Sequence, residues 1–197
     1  MADAGENAYL VHVFHRRYKG RDAIHAVGRL ECGQTFGLMD RRLRPAFYVR
    51  AEDVDRWQHD VSAERCAAVD TSLRTLVGDS VVRIECERVA DRRRLAERLA
   101  EGGVRTYESD LNFALHYRIE RGLRGAVQIS GAWQAGQGVD RVYIDPEVEA
   151  STWEPRLSLL VLDIETAPDA SAVYAASLVG GLADGDPSVE EIHIVGT

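Results

Sequence analysis

The sequence lacks the features that mark membrane-spanning and secreted proteins. No apolar run approaches the ~20 residues needed to cross a bilayer, and residues 159–162 are typical of the short runs present. Residues 1–8 are polar and acidic, without the basic and apolar regions of a signal peptide. We therefore expect a cytoplasmic protein that contacts no membrane.

Cysteine is also scarce. The three cysteines, Cys32, Cys66 and Cys86, are odd in number and widely spaced, and no CxxC or Cys/His cluster accompanies them. Zinc motifs place their ligands only a few residues apart, so the sequence does not indicate a structural zinc site. We expect reduced, partly buried thiols.

Basic residues are missing from the last fifth of the chain. Residues 157–197 contain seven acids and no Lys or Arg, so most of the net charge of −8 lies there. The preceding 156 residues hold all 24 basic residues, of which Lys19 is the single lysine, against 25 acidic ones. The overall charge argues against nonspecific nucleic-acid binding, but it is compatible with a local arginine-lined surface in the first part.

The rest of the composition is that of a folded protein. The 197 residues are 45% apolar and 28% charged, which is sufficient for a core without a metal or a disulfide. The turn Lys19-Gly-Arg-Asp22 predicts a hairpin between the first two strands. Apolar alternation and turn signals predict strands over residues 8–18, 23–32, 34–39, 45–50, 81–88, 126–130 and 139–144.

Two helices are predicted in the middle of the chain. The first is short and covers residues 52–60. The second follows Asp91 as its N-cap, carries Leu95 and Leu99 on its apolar face, and ends at Gly102-Gly103.

A third helix is predicted after Ser109, which is another N-cap candidate, and it ends at Gly122. We expect its apolar side to contain Leu111, Ala114, Leu115 and Ile119. The glycine-rich residues 131–138 lack the Lys-Ser/Thr of a phosphate loop and are predicted to form a flexible hairpin loop.

The chain changes character after residue 156. Residues 157–166 are nearly continuously apolar, which is typical of a central strand covered on both faces. Residues 171–180 and 189–195 predict two more strands, so the three form an antiparallel meander. No helix in the sequence covers this meander. We expect it either to self-associate through the uncovered sheet or to bury that face against the first part.

The most specific candidate site lies at the end of the apolar strand. Asp163 and Glu165 alternate along it and therefore point to the same face. Carboxylates next to a buried strand are costly unless a cation compensates them, and Mg²⁺ prefers carboxylate oxygens. Two such ions are the arrangement that cleaves phosphodiesters. The alternative is a solvent-exposed strand end without a function.

A second charged motif is Arg92-Arg93-Arg94 at the start of the second helix. The helix dipole does not favour cations there. This position favours a solvated helical face over a patch that contacts phosphates.

The segment Leu159-Leu-Val-Leu-Asp-Ile-Glu-Thr166 resembles the first exonuclease motif of family B DNA polymerases. Upstream, Glu101-Gly-Gly-Val-Arg-Thr-Tyr-Glu-Ser-Asp110 resembles the end of their N-terminal domain, where a helix and a glycine pair lead into a Tyr-Glu-x-Asp box. Residues 45–50, followed by an acidic helix, are similar to an earlier part, and the short spacing is most similar to bacterial DNA polymerase II. The resemblance covers nearly the whole chain.

The resemblance implies an α+β fold in two domains. Residues 1–145 would form the β-rich N-terminal polymerase domain and residues 146–156 a linker. Residues 157–197 would supply the first strands of a ribonuclease H-like 3′–5′ exonuclease domain. In such enzymes the first-motif acids, here Asp163 and Glu165, are catalytic and bind the Mg²⁺ or Mn²⁺ ions that hydrolyse a mispaired 3′ terminus. The implied partner is DNA, as single-stranded template and primer 3′ end, with deoxynucleotides for the full-length enzyme.

The later exonuclease motifs and the polymerase aspartates do not occur in the sequence. We therefore expect an N-terminal fragment that is inactive alone and binds metal weakly or not at all. The alternative is a stand-alone, non-catalytic module that binds nucleic acid or protein. A reading frame that continues into an Asn-x-x-x-Phe-Asp segment would favour the polymerase.

One departure from the family concerns template-base recognition. Archaeal relatives carry an aromatic-Ala-x-Arg-Tyr stretch after the Tyr-Glu-x-Asp box, near a pocket that senses deaminated bases. This chain has Phe113-Ala-Leu-His116-Tyr117, with His in place of Arg. No base-sensing residues are therefore carried over.

Overall fold

A computed structural model describes residues 5–182 and 185–195. The chain divides into two compact units, Met1–Trp153 and Glu154–Thr197. Among the described residues, the first unit contains two sheets, three α-helices and a short 3-10 helix (Ala51–Asp53), and the second contains one sheet.

The larger sheet of the first unit has seven strands in the order β11-β8-β1-β2-β3-β10-β9. All neighbours are antiparallel except β3 and β10, which pair in parallel. The strands are β1 (Glu6–Tyr18), β2 (Arg21–Leu30), β3 (Thr35–Asp40), β8 (Ala126–Ser130), β9 (Trp133–Ala135), β10 (Arg141–Ile144) and β11 (Glu147–Ala150).

The predicted hairpin between β1 and β2 is confirmed. Tyr18 pairs with Arg21, so Lys19 and Gly20 form a two-residue loop. Both loop residues have positive φ, 47° and 82°, as type I′ hairpin turns require. Such turns match the right-handed twist of the strands on either side.

Helix α3 (Phe113–Glu120) packs on one face of this sheet. Phe113 and Tyr117 are buried, with Phe36 and Tyr143 stacked edge to face in the same core. The predicted apolar side of the helix was wrong, because Leu115 and Ile119 are exposed. A helix in which apolar residues occur on several sides does not specify its buried face by periodicity alone.

The second sheet of this unit has the order β5-β6-β4-β7. Its strands and helices are β4 (Ala46–Arg50), α1 (Val54–Ala63), β5 (Cys66–Arg74), β6 (Ser80–Cys86), α2 (Val89–Glu101) and β7 (Thr106–Tyr107). Trp57 and Val61 of α1 and Leu95 and Leu99 of α2 share a core cluster with Phe47 of β4. This cluster is separate from the one under the larger sheet.

Both predicted N-caps were wrong. Helix α2 begins after Arg88, and the backbone N–H of Val89 donates to the carboxylate of Asp22, 2.6 Å away. Helix α3 begins after Asn112, whose side chain accepts from Leu115 N–H at 2.7 Å. The cap of α2 comes from a residue 67 positions earlier in the chain, so no local pattern could identify it.

Four strands were not predicted, and one of them is the two-residue β7. Strand β5 has no fully buried residue, β9 is a three-residue exposed strand within the glycine-rich loop, and β11 lies in the segment expected to be a linker. Each is defined by its partner strand rather than by its own apolar pattern.

The expectation of reduced thiols was wrong for two of the three cysteines. Cys66 and Cys86 are directly opposite each other on β5 and β6, and they form a disulfide. Their Cα atoms are 4.1 Å apart, close to the spacing of a non-hydrogen-bonded cross-strand pair. Cys32 is free and exposed.

The second unit is the predicted antiparallel meander, with order β12-β13-β14. Its strands are β12 (Ser158–Thr166), β13 (Val173–Leu182) and β14 (Pro187–Ile194). The expectation that β12 is covered on both faces was wrong: all nine of its residues are exposed, with Leu160 66% and Leu162 55% accessible. The described residues of this unit contain strands only, so it has no helix to cover either face.

Among the described residues, no helix has the length and apolarity required to span a membrane.

The disulfide generates a stability prediction. It closes a loop with a sequence separation of 20, for which the chain-entropy model gives about 3 kcal/mol of stabilisation. We expect Cys66→Ala to lower the free energy of unfolding by up to this amount in non-reducing buffer. Urea unfolding with and without dithiothreitol measures it.

The control is Cys32→Ala, which removes the free thiol and should leave the unfolding curve unchanged. Dithiothreitol should bring the wild-type protein close to Cys66→Ala. A wild-type protein that is insensitive to dithiothreitol and no more stable than Cys66→Ala would contradict the disulfide.

Candidate functional site

The predicted acidic pair lies where the sequence placed it, on β12. Asp163 and Glu165 occupy alternate positions of the strand and therefore share a face. Their partners on β13 are Ser177 and Ala175. Asp163 Oδ1 accepts a hydrogen bond from the N–H of Ile164 at 3.1 Å, which leaves its other carboxylate oxygen available. The pair is open to solvent rather than set in an apolar pocket.

The donor set at this pair is small. Two carboxylates supply hard oxygen ligands, which suit Mg²⁺ and Mn²⁺. Within residues 5–182 and 185–195, no group of three or more His, Cys, Asp or Glu side chains is arranged to hold a metal ion. The pair therefore supplies part of the ligand set that a metal ion needs.

The arginine cluster of α2 is divided among different environments. Arg92 is buried and donates to the carbonyl of Leu111 at 2.6 Å. Arg93 is exposed and pairs with Glu97 one turn later. Arg94 pairs with Asp91 at 2.9 Å. The three side chains do not form one phosphate-binding patch, and the expected solvated helical face was wrong for Arg92, which is buried.

His116, at the position where the sequence resemblance leads us to expect an Arg, is a buried residue of α3. Its Nε2 lies 3.1 Å from Glu120, and Glu120 also pairs with Arg83. Burial lowers the pKa of His116, an effect that Glu120 opposes and Arg83 and Arg92 reinforce. The imidazole is therefore neutral at pH 7 and has a structural partner in Glu120.

The strongest polar network of the first unit surrounds Asp40 at the end of β3. This carboxylate is fully buried and accepts hydrogen bonds from Arg42, Tyr117 and Arg121 at 3.0–3.2 Å. Burial alone would raise the pKa of Asp40, but the hydrogen bonds and charges of Arg42 and Arg121 hold it below its usual range. Arg42 also contacts the side chain of Glu147, so the network reaches β11.

A second buried carboxylate, Asp22, follows the β1–β2 turn. It accepts from the N–H of Val89 and lies 2.6 Å from Nε2 of His15. Negative charge is favourable at the N-terminus of a helix, so Asp22 fixes the start of α2 beside the hairpin. As a result, Arg88 lies close to Lys19 and Arg21.

These two networks bound a concave surface that sequence reasoning did not identify. We call it the basic basin; it has a volume of about 380 Å³ and is lined by residues 19–22, 41–44 and 87–88. Six of its ten lining residues are basic. Its three segments are far apart in sequence, so no local charge run could have indicated it.

Comparison with known proteins gives a match to solved structures but not to protein families or curated sequences. No protein-family model matches the sequence, and no curated protein matches it. Among solved structures, the chain is similar to the family B DNA polymerase from the hyperthermophilic archaeon Pyrobaculum calidifontis, with a TM-score of 0.69 and 20% identity. The similarity covers 96% of this chain and 27% of that one, so this chain spans about a quarter of the matched structure's length. The expected α+β, strand-rich fold is confirmed.

The Asp40 network predicts a pH-dependent stability. Removing one partner of a buried charge network costs about 3–5 kcal/mol. We expect Asp40→Asn to lose stability of this order at pH 7. Because the pKa of Asp40 is lower in the folded than in the unfolded chain, its contribution is complete above the unfolded pKa and is lost as pH falls through the folded pKa.

Urea unfolding of the wild type and Asp40→Asn between pH 7 and pH 3 measures the difference in their free energies of unfolding. This difference should become smaller toward pH 3. Asp55→Asn, at an exposed position on α1, should change the stability by less than about 0.5 kcal/mol. A difference that stays constant or grows toward pH 3 would contradict the assignment.

Proposed function

We propose that the chain is the N-terminal part of a family B DNA polymerase and that β12 begins its 3′–5′ exonuclease domain, with a ribonuclease H-like fold. The observation that carries this proposal is the fold similarity to the Pyrobaculum calidifontis polymerase over 96% of the chain. The Asp163-Ile-Glu-Thr166 box and the Tyr107-Glu-Ser-Asp110 box support it from the sequence. The short spacing between segments favours the bacterial DNA polymerase II branch.

Asp163 and Glu165 are the proposed catalytic and metal-binding residues. Their shared face on β12 lets two carboxylates approach one ion from the same side. When bound, Mg²⁺ or Mn²⁺ would polarise the scissile phosphate and activate water. The role of the two side chains is to bind the ions and fix their position relative to the DNA 3′ end.

The isolated chain is proposed to bind DNA without degrading it. Two-metal hydrolysis needs both ions in a fixed geometry, and members of such a unit act together rather than additively. Two carboxylates with water completing the shell should give affinity in the millimolar range at best, since ligand number and charge set it. In the longer enzyme, deoxynucleotides would be further ligands.

A second candidate is a non-catalytic module that binds nucleic acid or protein. The small donor set at Asp163 and Glu165 favours it, since the described residues include no third ligand beside them. The two candidates differ in whether the acidic pair binds metal at all.

A Mn²⁺ titration distinguishes these candidates. We expect millimolar binding by the wild type, measured by water-proton relaxation, and weaker binding by both Asp163→Asn and Glu165→Gln. Glu191→Gln is the matched control, because Glu191 pairs in register with Leu178 and Leu162 and so lies on the opposite face of the sheet. Micromolar binding that survives Asp163→Asn, or no effect of either variant, would reject the acidic pair as the metal site.

Activity gives a separate prediction. With a labelled single-stranded oligonucleotide and Mg²⁺, we expect neither shortened products nor nucleotide incorporation. Shortened products that disappear in Asp163→Ala would show that the chain is a complete nuclease and would contradict the proposed inactivity.

A further inference from the structure

The basic basin carries an excess of uncompensated positive charge. Of its six cations, Arg41 pairs with Asp145, and Arg42 pairs with Asp40 and Glu147. The other four, Lys19, Arg21, Arg44 and Arg88, form no ion pair within the part of the chain that the structure describes.

The two acids that line the basin do not neutralise these four cations. Asp22 is 7% exposed and is engaged by His15 and the start of α2. Glu87 faces Arg65 at 4.0 Å. A concentration of like charge at one concave surface attracts anions, and the acidic composition of the chain as a whole makes this local excess distinctive.

The lining indicates which part of a nucleic acid would bind. No aromatic side chain is among the residues that line the basin. The partly exposed Tyr18 lies beside its rim, with the Lys19 ammonium 5.4 Å from the ring centroid, so bases would have at most one stacking surface there. Guanidinium groups, by contrast, match phosphate oxygens in a planar, two-pronged geometry. The chemistry of the basin therefore favours the phosphate backbone, without sequence preference.

The turn at the rim of the basin supports a binding role. Lys19 has a φ of 47°, a left-handed conformation that Asn or Gly adopts more readily in type I′ turns. The chain's single lysine thus occupies a position where it is conformationally unfavourable. Its ammonium group adds positive charge beside Arg21.

We propose that the basic basin binds the phosphodiester backbone of single-stranded DNA through Lys19, Arg21, Arg44 and Arg88. That the bound polyanion is DNA rests on the proposed function. The structure adds the place where the DNA would bind, which is this surface of the first unit. Binding is electrostatic and sequence-independent, so it weakens steeply with added salt.

The first test measures binding of a fluorescent oligothymidine to the full chain by anisotropy over a series of salt concentrations. Each lost phosphate contact lowers the salt slope by ~0.7, which corresponds to about fivefold in affinity at ~0.1 M salt. We expect about this loss for Arg21→Gln, Arg44→Gln and Arg88→Gln singly, and about 100-fold for the three together. Circular dichroism establishes that each variant is folded.

Arg93→Gln is the matched control, with the same charge change on the exposed side of α2. We expect it to bind as the wild type does. Equal losses for Arg93→Gln and the basin variants would mean diffuse attraction and would overturn the proposal, as would basin variants that leave the affinity unchanged.

Lys19→Asn separates binding from folding. Asn suits the positive φ of the turn, so this variant should melt at the same or a higher temperature while its DNA affinity falls about fivefold. Unchanged affinity would remove Lys19 from the site.

Lys19 also permits a direct test of contact. It is the single lysine, so amine acetylation followed by peptide mass spectrometry reports on it alone beside the N-terminal amine. Bound oligothymidine should protect Lys19, and a Lys19 that stays fully reactive at saturating DNA would overturn the contact.

Inorganic pyrophosphate tests for a small-molecule source of the phosphate. Millimolar pyrophosphate should displace DNA only partly, because it offers fewer contacts than a strand. If pyrophosphate binds in a basin-dependent manner and DNA does not, the basin is a small-anion site and the DNA proposal fails. The Mn²⁺ titration of the Asp163 variants tests the proposed function without involving the basin. A failure of the proposed function can therefore be distinguished from a failure of the DNA-binding proposal.

Discussion

The buried carboxylate of Asp40 is the constraint on which the first unit depends. A charge removed from water must be matched by donors, and here they come from Arg42 in the following loop, from Tyr117 on α3 and from Arg121, which directly follows α3. Arg42 extends the network to Glu147. The end of β3, helix α3 and the start of β11 are therefore fixed relative to one another by one side chain.

Asp22 has a similar role at the other border of the basic basin, where it joins the hairpin turn to the start of α2. The two carboxylates are matched by their own donors, and Lys19, Arg21, Arg44 and Arg88 form no ion pair among the residues that the structure describes. The fold thus uses buried acids to organise a basic surface, on a chain whose overall charge is negative. Composition is compatible with an arginine-lined surface in the first part of the chain, but the fold is needed to locate it.

Local sequence patterns predicted the elements whose structure is determined by residues near them in the chain. Strands β1 to β3 contain alternating stretches, β4 is a short apolar run, and the two-residue turn fixes the register of the first pair. Strand β5 has no such pattern, because its pairing with β6 and the Cys66–Cys86 bridge define it. The cap of α2 likewise depends on Asp22, which no window around the helix contains.

The same distinction applies to the candidate sites. Asp163 and Glu165 are two positions apart in sequence, so alternation along β12 was sufficient to place them on one face, although it did not predict that the strand is exposed. The basic basin combines three distant segments, and only the folded chain brings them together. The visible run Arg92-Arg93-Arg94 was a poorer guide, since its members have three different environments.

The parallel pairing of β3 with β10 has a consequence for synthesis of the protein. Thr35 and Asp140 are hydrogen-bonded across 105 residues, and the second sheet with its own core is encoded between them. At ~5–20 residues per second, translation of this interval takes roughly 5–20 s. During that time the nascent β1–β3 sheet has two open edges, where β8 and β10 will later pair. Open strand edges invite intermolecular pairing, so this interval is when the chain is most exposed to aggregation and to chaperone binding.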